Sequence, residues 1–349
     1  MKHVYLTLTL VFVLAILSSC TNASLSADNS AANKEKVLIP DESWSCYMPD
    51  GIPSPEKGTL VFEIQMNIDK IYNVGKTQFG MRKAYVIKDG KVTGDKFQAD
   101  VMQLGLDYDL TLSNGVVEIE QINVLRTNDN GYIYVRCPGT GINENDVRVV
   151  MDFEAPNNSS AAWLNTGKFV ARRIVDEEAK TITMKVYDVN EVAIDAADTI
   201  NISKPEGIPY QSWDFRKASQ GEQAGEQIIT ELVTLGGSCR VGASKRGNRN
   251  IILITGGTLE GMIKGIVIPG GADYQNLAQN TIDARYMWET EKGEIIIVRN
   301  AGAFSGLVPT FETNVEGEFA WLNSGLYLSS GPGIGAGGVT LTMYKSKTQ

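Results

Sequence analysis

GGTLEGMIKGIVIPGGADYQ (Gly256 to Gln275) has a worn copy about 167 residues upstream, DGKVTGDKFQADVMQLGLDYD (Asp89 to Asp109), and this pair decides the architecture: one domain written twice. Outward from this anchor, Val74-Gly75 matches Val241-Gly242, and Gly80-Met81-Arg82 matches Gly247-Asn248-Arg249. Asp107-Tyr108 matches Asp273-Tyr274, Val135-Arg136 matches Val298-Arg299, and Phe153-Glu154 matches Phe311-Glu312. Ala162-Trp163-Leu164-Asn165 returns as Ala320-Trp321-Leu322-Asn323. The offset shortens by about ten residues along the copy, as small loop insertions in a shared scaffold would make it.

Alternation with a period of two runs through both copies. Ile182, Met184 and Val186 alternate with Thr183, Lys185 and Tyr187, and the partner segment sets Val339, Leu341 and Met343 against Thr340, Thr342 and Tyr344. Similar segments are divided by turn chemistry such as Asn128-Asp129-Asn130-Gly131 and Glu291-Lys292-Gly293. With 35 glycines and no long amphipathic helical pattern, the chain is all-β: two tandem antiparallel β-barrels, since closure removes edge strands. The expected boundaries are 1–19 for a lipoprotein signal peptide, 20–57 for a tether and leader, 58–189 for the first barrel, 190–226 for a linker and leader, and 227–349 for the second barrel. Pro49-Asp50-Gly51-Ile52-Pro53 and Lys204-Pro205-Glu206-Gly207-Ile208-Pro209 echo one another as leaders. The run Gly331-Pro332-Gly333-Ile334-Gly335-Ala336-Gly337-Gly338 lacks the Lys-Ser/Thr ending of a phosphate loop and is expected to be a hairpin.

At the amino terminus, Lys2, the apolar run Val11 to Leu17 and then Leu17-Ser18-Ser19-Cys20 form the pattern of a bacterial lipoprotein, cleaved before Cys20 and lipidated on its thiol. The expected location is therefore the bacterial cell envelope, with the lipid anchor as the only membrane contact. Thirty-two basic residues face 41 acidic ones, a net charge of −9 that repels phosphate backbones and argues against nucleic acid as a partner. The only histidine, His3, leaves with the signal, which excludes histidine triads, Cys-His dyads and histidine-rich zinc sites. Cys46, Cys137 and Cys239 lack metal-ligand spacing and are expected to be buried, unpaired thiols. No metal and no cofactor is implied, and the sequence is silent on oligomeric state.

The block GGTLEGMIKGIVIPGGADY, followed by IDARYMWET, GEIIIVRNAG, PTFET and AWLN, resembles the uncharacterised bacterial and fungal family called domain of unknown function 3237, also known as uncharacterised protein family 0311. The resemblance covers the second unit almost end to end, while the first is similar but eroded. It implies an antiparallel β-barrel and brings no settled activity. The family's recurring polar positions, carried onto this chain, are Arg249, Asp273, Asp283, Arg285, Glu312 and Asn323. In the first unit Asp89 replaces Gly256, Gln103-Leu104 replaces Pro269-Gly270, and Ile122 or Asn123 replaces Arg285. The second barrel is therefore expected to hold a pocket bounded by those six residues. Bland roles compete: Trp163 and Trp321 as core, Asp107 and Asp273 as turn-backbone acceptors, Asp283 with Arg285 as a plain ion pair.

Two functions fit these residues. One is a lipid-anchored binding or adaptor module for a small polar or aromatic ligand, oriented by Arg249, Asp283, Arg285 and Asn323. The other is an enzyme of lyase, isomerase or hydratase type, with Asp273 or Glu312 as general base and Arg285 stabilising an oxyanion.

Overall fold

Phe62, Ile64, Met66 and Ile68 are buried while Glu63, Gln65, Asn67 and Asp69 between them are exposed, as a half-buried strand requires. Beyond Ile68 the strand bulges, its register shifting between Ile68 and Lys70, and the next buried residues, Tyr72 and Val74, serve a different apolar cluster. A bulge re-aims a strand in this way, so one long strand lines a barrel interior with its first half and an external face with its second. A computed structural model describes residues 33–44, 46–211, 214–335 and 337–348; the expected signal peptide and Cys20 lie outside the described residues.

The strands are β1 (Val37–Ile39), β2 (Thr59–Lys76), β3 (Met81–Thr93), β4 (Ala99–Val101), β5 (Leu106–Thr111), β6 (Val117–Thr127) and β7 (Tyr132–Gly141). They continue as β8 (Arg148–Glu154), β9 (Phe169–Asp176), β10 (Thr181–Asp188) and β11 (Thr199–Asn201). The second half holds β12 (Ala224–Ser244), β13 (Gly247–Gly261), β14 (Gly265–Val267), β15 (Ala272–Asn276) and β16 (Thr281–Thr290). It ends with β17 (Ile295–Ala303), β18 (Gly306–Thr313), β19 (Tyr327–Ser329), β20 (Gly333–Gly335) and β21 (Gly338–Ser346). In the first sheet β2, β10, β9, β8, β7 and β6 follow in order, β4 and β5 share the next position, and β3 returns to β2, closing a barrel. The second sheet repeats that order through β12, β21, β19, β18, β17, β16, the β14/β15 pair and β13, with the β18–β19 seam held by the single pair Leu307 and Ser329. The chain is all-β, two tandem barrels, and its described helical turns are short 3-10 turns.

Register makes the halves equivalent residue by residue. Leu106 faces Val86 and Ile122 as Ala272 faces Leu253 and Arg285, so Asp107 corresponds to Asp273, Glu120 to Asp283 and Ile122 to Arg285. The turns Ala162–Asn165 and Ala320–Asn323 make the same clamp: each asparagine side chain accepts from and donates to the backbone of one strand-end residue, Ala155 or Thr313. Trp163 packs edge-on against Phe169, and Trp321 packs against Tyr327. Each barrel has its own interior core, and Cys46, Cys137 and Cys239 are buried free thiols.

Two further clusters join the barrels. Tyr72, Val74, Val86 and Leu106 of the first pack with Ile268, Met287 and Ile295 of the second. In return, Ile122, Val124 and Tyr134 of the first pack with Val241, Ile251, Leu253 and Tyr274 of the second. The same patch of each barrel meets the other with roles exchanged, as in an isologous dimer, so the barrels are related by an approximate two-fold axis.

Candidate functional site

Asp283 and Arg285 lie two apart on β16 and share a face. Arg285 Nε and Nη2 donate to the Asp283 carboxylate at 2.9 and 3.3 Å, while Arg285 Nη1 crosses to Glu120 Oε2 of the first barrel at 2.8 Å. Arg299, opposite Arg285 in register, donates to both Asp283 oxygens at 2.9 Å, and Arg136 donates to Glu120 at 2.7 Å. The result is an alternating chain, Arg136, Glu120, Arg285, Asp283, Arg299, astride the approximate two-fold axis. It explains why Arg285 has no counterpart at Ile122: a second guanidinium there would compete for the same two carboxylates. Burial, the largest influence on Glu120, raises its pKa, but Arg136, Arg285 and Arg299 outweigh burial and hold it at about 2. Burial likewise pushes Asp283 up, and Arg285 with Arg299 reverses this, leaving it well below the usual carboxylate range.

This chain forms one wall of a cleft of about 440 Å³ between the barrels, closed on another side by linker residues Tyr210, Gln211 and Asp214 to Arg216. Five guanidinium groups line it, Arg82, Arg136, Arg216, Arg285 and Arg299, against the carboxylates of Glu120, Glu312 and Asp214. Phe79, Tyr108, Phe215 and Phe311 supply aromatic surface, with the Phe215 ring 5.7 Å from the Arg299 guanidinium. Arg82 holds Glu312 with two parallel bonds of 2.8 Å, and Thr77 Oγ1 donates to the same carboxylate at 2.6 Å.

The axis reproduces that last arrangement on the opposite side. Arg249 donates to Glu154 at 2.9 and 2.7 Å, and Ser244 Oγ donates at 2.6 Å. There the leader inserts Tyr47, whose hydroxyl accepts from Arg136 at 2.9 Å and whose ring lies 5.9 Å from the Arg136 guanidinium and 5.7 Å from that of Arg246. Tyr47 over Arg136 thus repeats, across the axis, the Phe215 ring over Arg299.

The six residues singled out in the sequence are not gathered into one pocket. Arg285, Glu312 and Asn323 line the cleft, with Asp283 behind the arginines. Asn323 spends its amide on the backbone of Thr313. Arg249 lies across the axis with Glu154, and Asp273 lines a separate small cavity inside the second barrel. This cleft is not built from the second barrel alone: the first barrel contributes Arg82, Tyr108, Glu120 and Arg136. The repeated Val-Arg of Val135-Arg136 and Val298-Arg299 was the available signal for two of the cleft arginines. Nothing in the sequence pointed to Glu231, a buried glutamate that accepts from Tyr286 Oη at 2.6 Å and Trp288 Nε1 at 2.9 Å and is raised by burial to about 7.

A family model described as a protein of unknown function (DUF3237) matches residues 57–189 and 225–307. A UPF0311 protein of Bradyrhizobium diazoefficiens is 30% identical over 128 residues, covering 30% of this chain and 84% of that protein. Among solved structures, a conserved protein of unknown function from Rhodopseudomonas palustris aligns at 23% identity over 37% of this chain and 95% of its own, with a TM-score of 0.33. A beta-barrel like protein from Acinetobacter baumannii aligns at 19% identity over 38% of this chain and 94% of its own, with a TM-score of 0.34.

Proposed function

The chain belongs to the DUF3237 family of proteins of unknown function, and from that premise we propose that it binds a small aromatic compound carrying a carboxylate or another anionic oxygen in the cleft between its barrels. The carrying observation is that five guanidinium groups line one cleft that also presents aromatic faces, with Arg285 and Arg299 sharing the single carboxylate of Asp283. Planar guanidiniums pair with carboxylate oxygens and stack on aromatic rings, and a volume of this order suits a small ligand. An acid-base reaction through Glu312 has less support, because both its oxygens are engaged by Arg82. Calorimetric titration with benzoate and 4-hydroxybenzoate tests the proposal. Binding that weakens about tenfold in Arg299→Gln, the loss of one charge-assisted contact, is expected; absence of binding, or affinity unchanged in that variant, overturns it.

The protein is further proposed to be held at a membrane of the cell envelope through lipidated Cys20, on the support of the apolar run and the Leu17-Ser18-Ser19-Cys20 pattern. Cys20→Ala should move the protein to the soluble fraction. Retention on membranes without detergent would refute the anchor.

A further inference from the structure

Asp107 and Asp273 occupy the same register position, and the two barrels treat them differently. In the first barrel Arg173, from β9, donates Nε to Asp107 Oδ2 at 2.9 Å and Nη2 to Oδ1 at 3.1 Å, and Gln121 Nε2 adds a bond of 2.7 Å. The second barrel has neither donor. Ala284 stands where Gln121 does, and β19 stops at Ser329, so Gly331 falls at the position of Arg173 and departs into the β20–β21 hairpin. The Asp273 side chain has no hydrogen-bond or ion-pair partner among the described residues, and burial alone raises it to about 6. It borders a cavity of about 20 Å³ whose other walls include Val233, Ile254, Ala284, Tyr286, Leu307 and Pro332.

A half-buried carboxylate beside apolar walls is destabilising without a partner, and the first barrel shows which group relieves it at this position. We infer that the interior of the second barrel is a socket for the head group of a small organic ammonium ion, which takes the place that the Arg173 cation fills in the first barrel. The space suits a head group of about the size of a water molecule. The Tyr286 ring in the wall offers a face that attracts cations. Apolar neighbours favour an alkyl body behind the head, and the glycine-rich hairpin that supplies Pro332 leaves the Arg173 position without a side chain. The socket is separate from the cleft and selects the opposite charge.

The test is calorimetric titration of the full chain with propylammonium, using neutral methylurea as control. Saturable binding of a cation but not of methylurea is expected. Asp273→Asn, which keeps the shape and removes the charge, should weaken it at least about tenfold. Ala284→Gln, which restores the donor used in the first barrel, should weaken it as well. Arg299→Gln, in the cleft, should leave it unchanged, which separates this site from the proposed anion site. Failure of propylammonium to bind, or affinity retained in Asp273→Asn and in Ala284→Gln, overturns the inference.

Discussion

Glu231 and Glu120 are both buried glutamates, yet burial raises the first to about 7 while three arginines hold the second at about 2. The difference lies in the neighbours: Glu231 meets the neutral donors Tyr286 and Trp288, which do not offset desolvation, and the nearby Asp273 charge raises it further. The consequences for stability have opposite signs. Glu120, depressed in the folded state, contributes stability above about pH 4.5 that is lost as pH falls toward 2. Glu231, raised in the folded state, binds more protons folded than unfolded between about pH 4.5 and 7, so stability declines as pH rises through that window, and Asp273 acts in the same sense up to about 6. Glu231→Gln should flatten that decline and raise stability at pH 8 by up to about 3 kcal/mol. The amide can still accept from Trp288 and can donate to the Tyr286 oxygen, so the variant removes the charge and keeps the bonds. Urea unfolding at pH 5 and pH 8 checks this; an unchanged pH slope in the variant rules it out. Of such detail the sequence exposed only part. The spacing of Asp283 and Arg285 placed both on one strand face, but the crossing to Glu120 depends on which face meets the other barrel, and strand bulges decide that.

At the level of elements, the ordered blocks and period-two alternation made two repeated barrels legible before any coordinates, because each block carries a turn or strand of the scaffold. Asn323 shows how such a block misleads about function. AWLN recurs because the 3-10 turn it forms clamps the end of β8 or β18, with two bonds from one amide to one backbone residue. Its place on the cleft wall follows from that duty. Asn323→Ala should therefore destabilise the chain by about 1 to 3 kcal/mol, with a similar loss in Asn165→Ala, whose clamp is identical and whose side chain is not among the cleft residues. Equilibrium unfolding of the two variants is the measurement, and a neutral Asn323→Ala would return that residue to a ligand-binding role. The short β19 was not legible in the same way. Tyr327 to Ser329 matches the start of β9, but the glycine run after it ends the strand where β9 continues to Asp176. That early ending removes the counterpart of Arg173 and leaves Asp273 without a partner.

Across the whole molecule, the charged residues that recur between copies serve largely to join the copies. Arg82 of the first barrel grips Glu312 of the second, and Arg249 of the second grips Glu154 of the first, each pair supported by a hydroxyl from Thr77 or Ser244. A sequence read one copy at a time shows an arginine and a glutamate in each half and invites their assignment to one pocket per barrel. Only the exchange across the two-fold axis reveals them as reciprocal contacts, and that exchange has no signature in spacing. The two contacts are related by the axis but differ in their surroundings. Arg82 and Glu312 retain 6% and 10% side-chain exposure and Arg249 and Glu154 retain 18% and 1%, so burial does not rank the two carboxylates in favour of Glu312; what differs is that Glu154 also has Arg246 at 3.5 Å. Removing Arg82 leaves Glu312 with no cation within ion-pair distance among the described residues, while Glu154 would keep Arg246 after loss of Arg249. Arg82→Ala should therefore cost about 3 to 5 kcal/mol, in the range for breaking a buried pair, and Arg249→Ala distinctly less, about 1 to 3 kcal/mol. Urea denaturation of both variants at neutral pH and low salt decides it. Equal losses would mean that the second arginine does not matter, and that the two faces of the interface are energetically as well as geometrically alike.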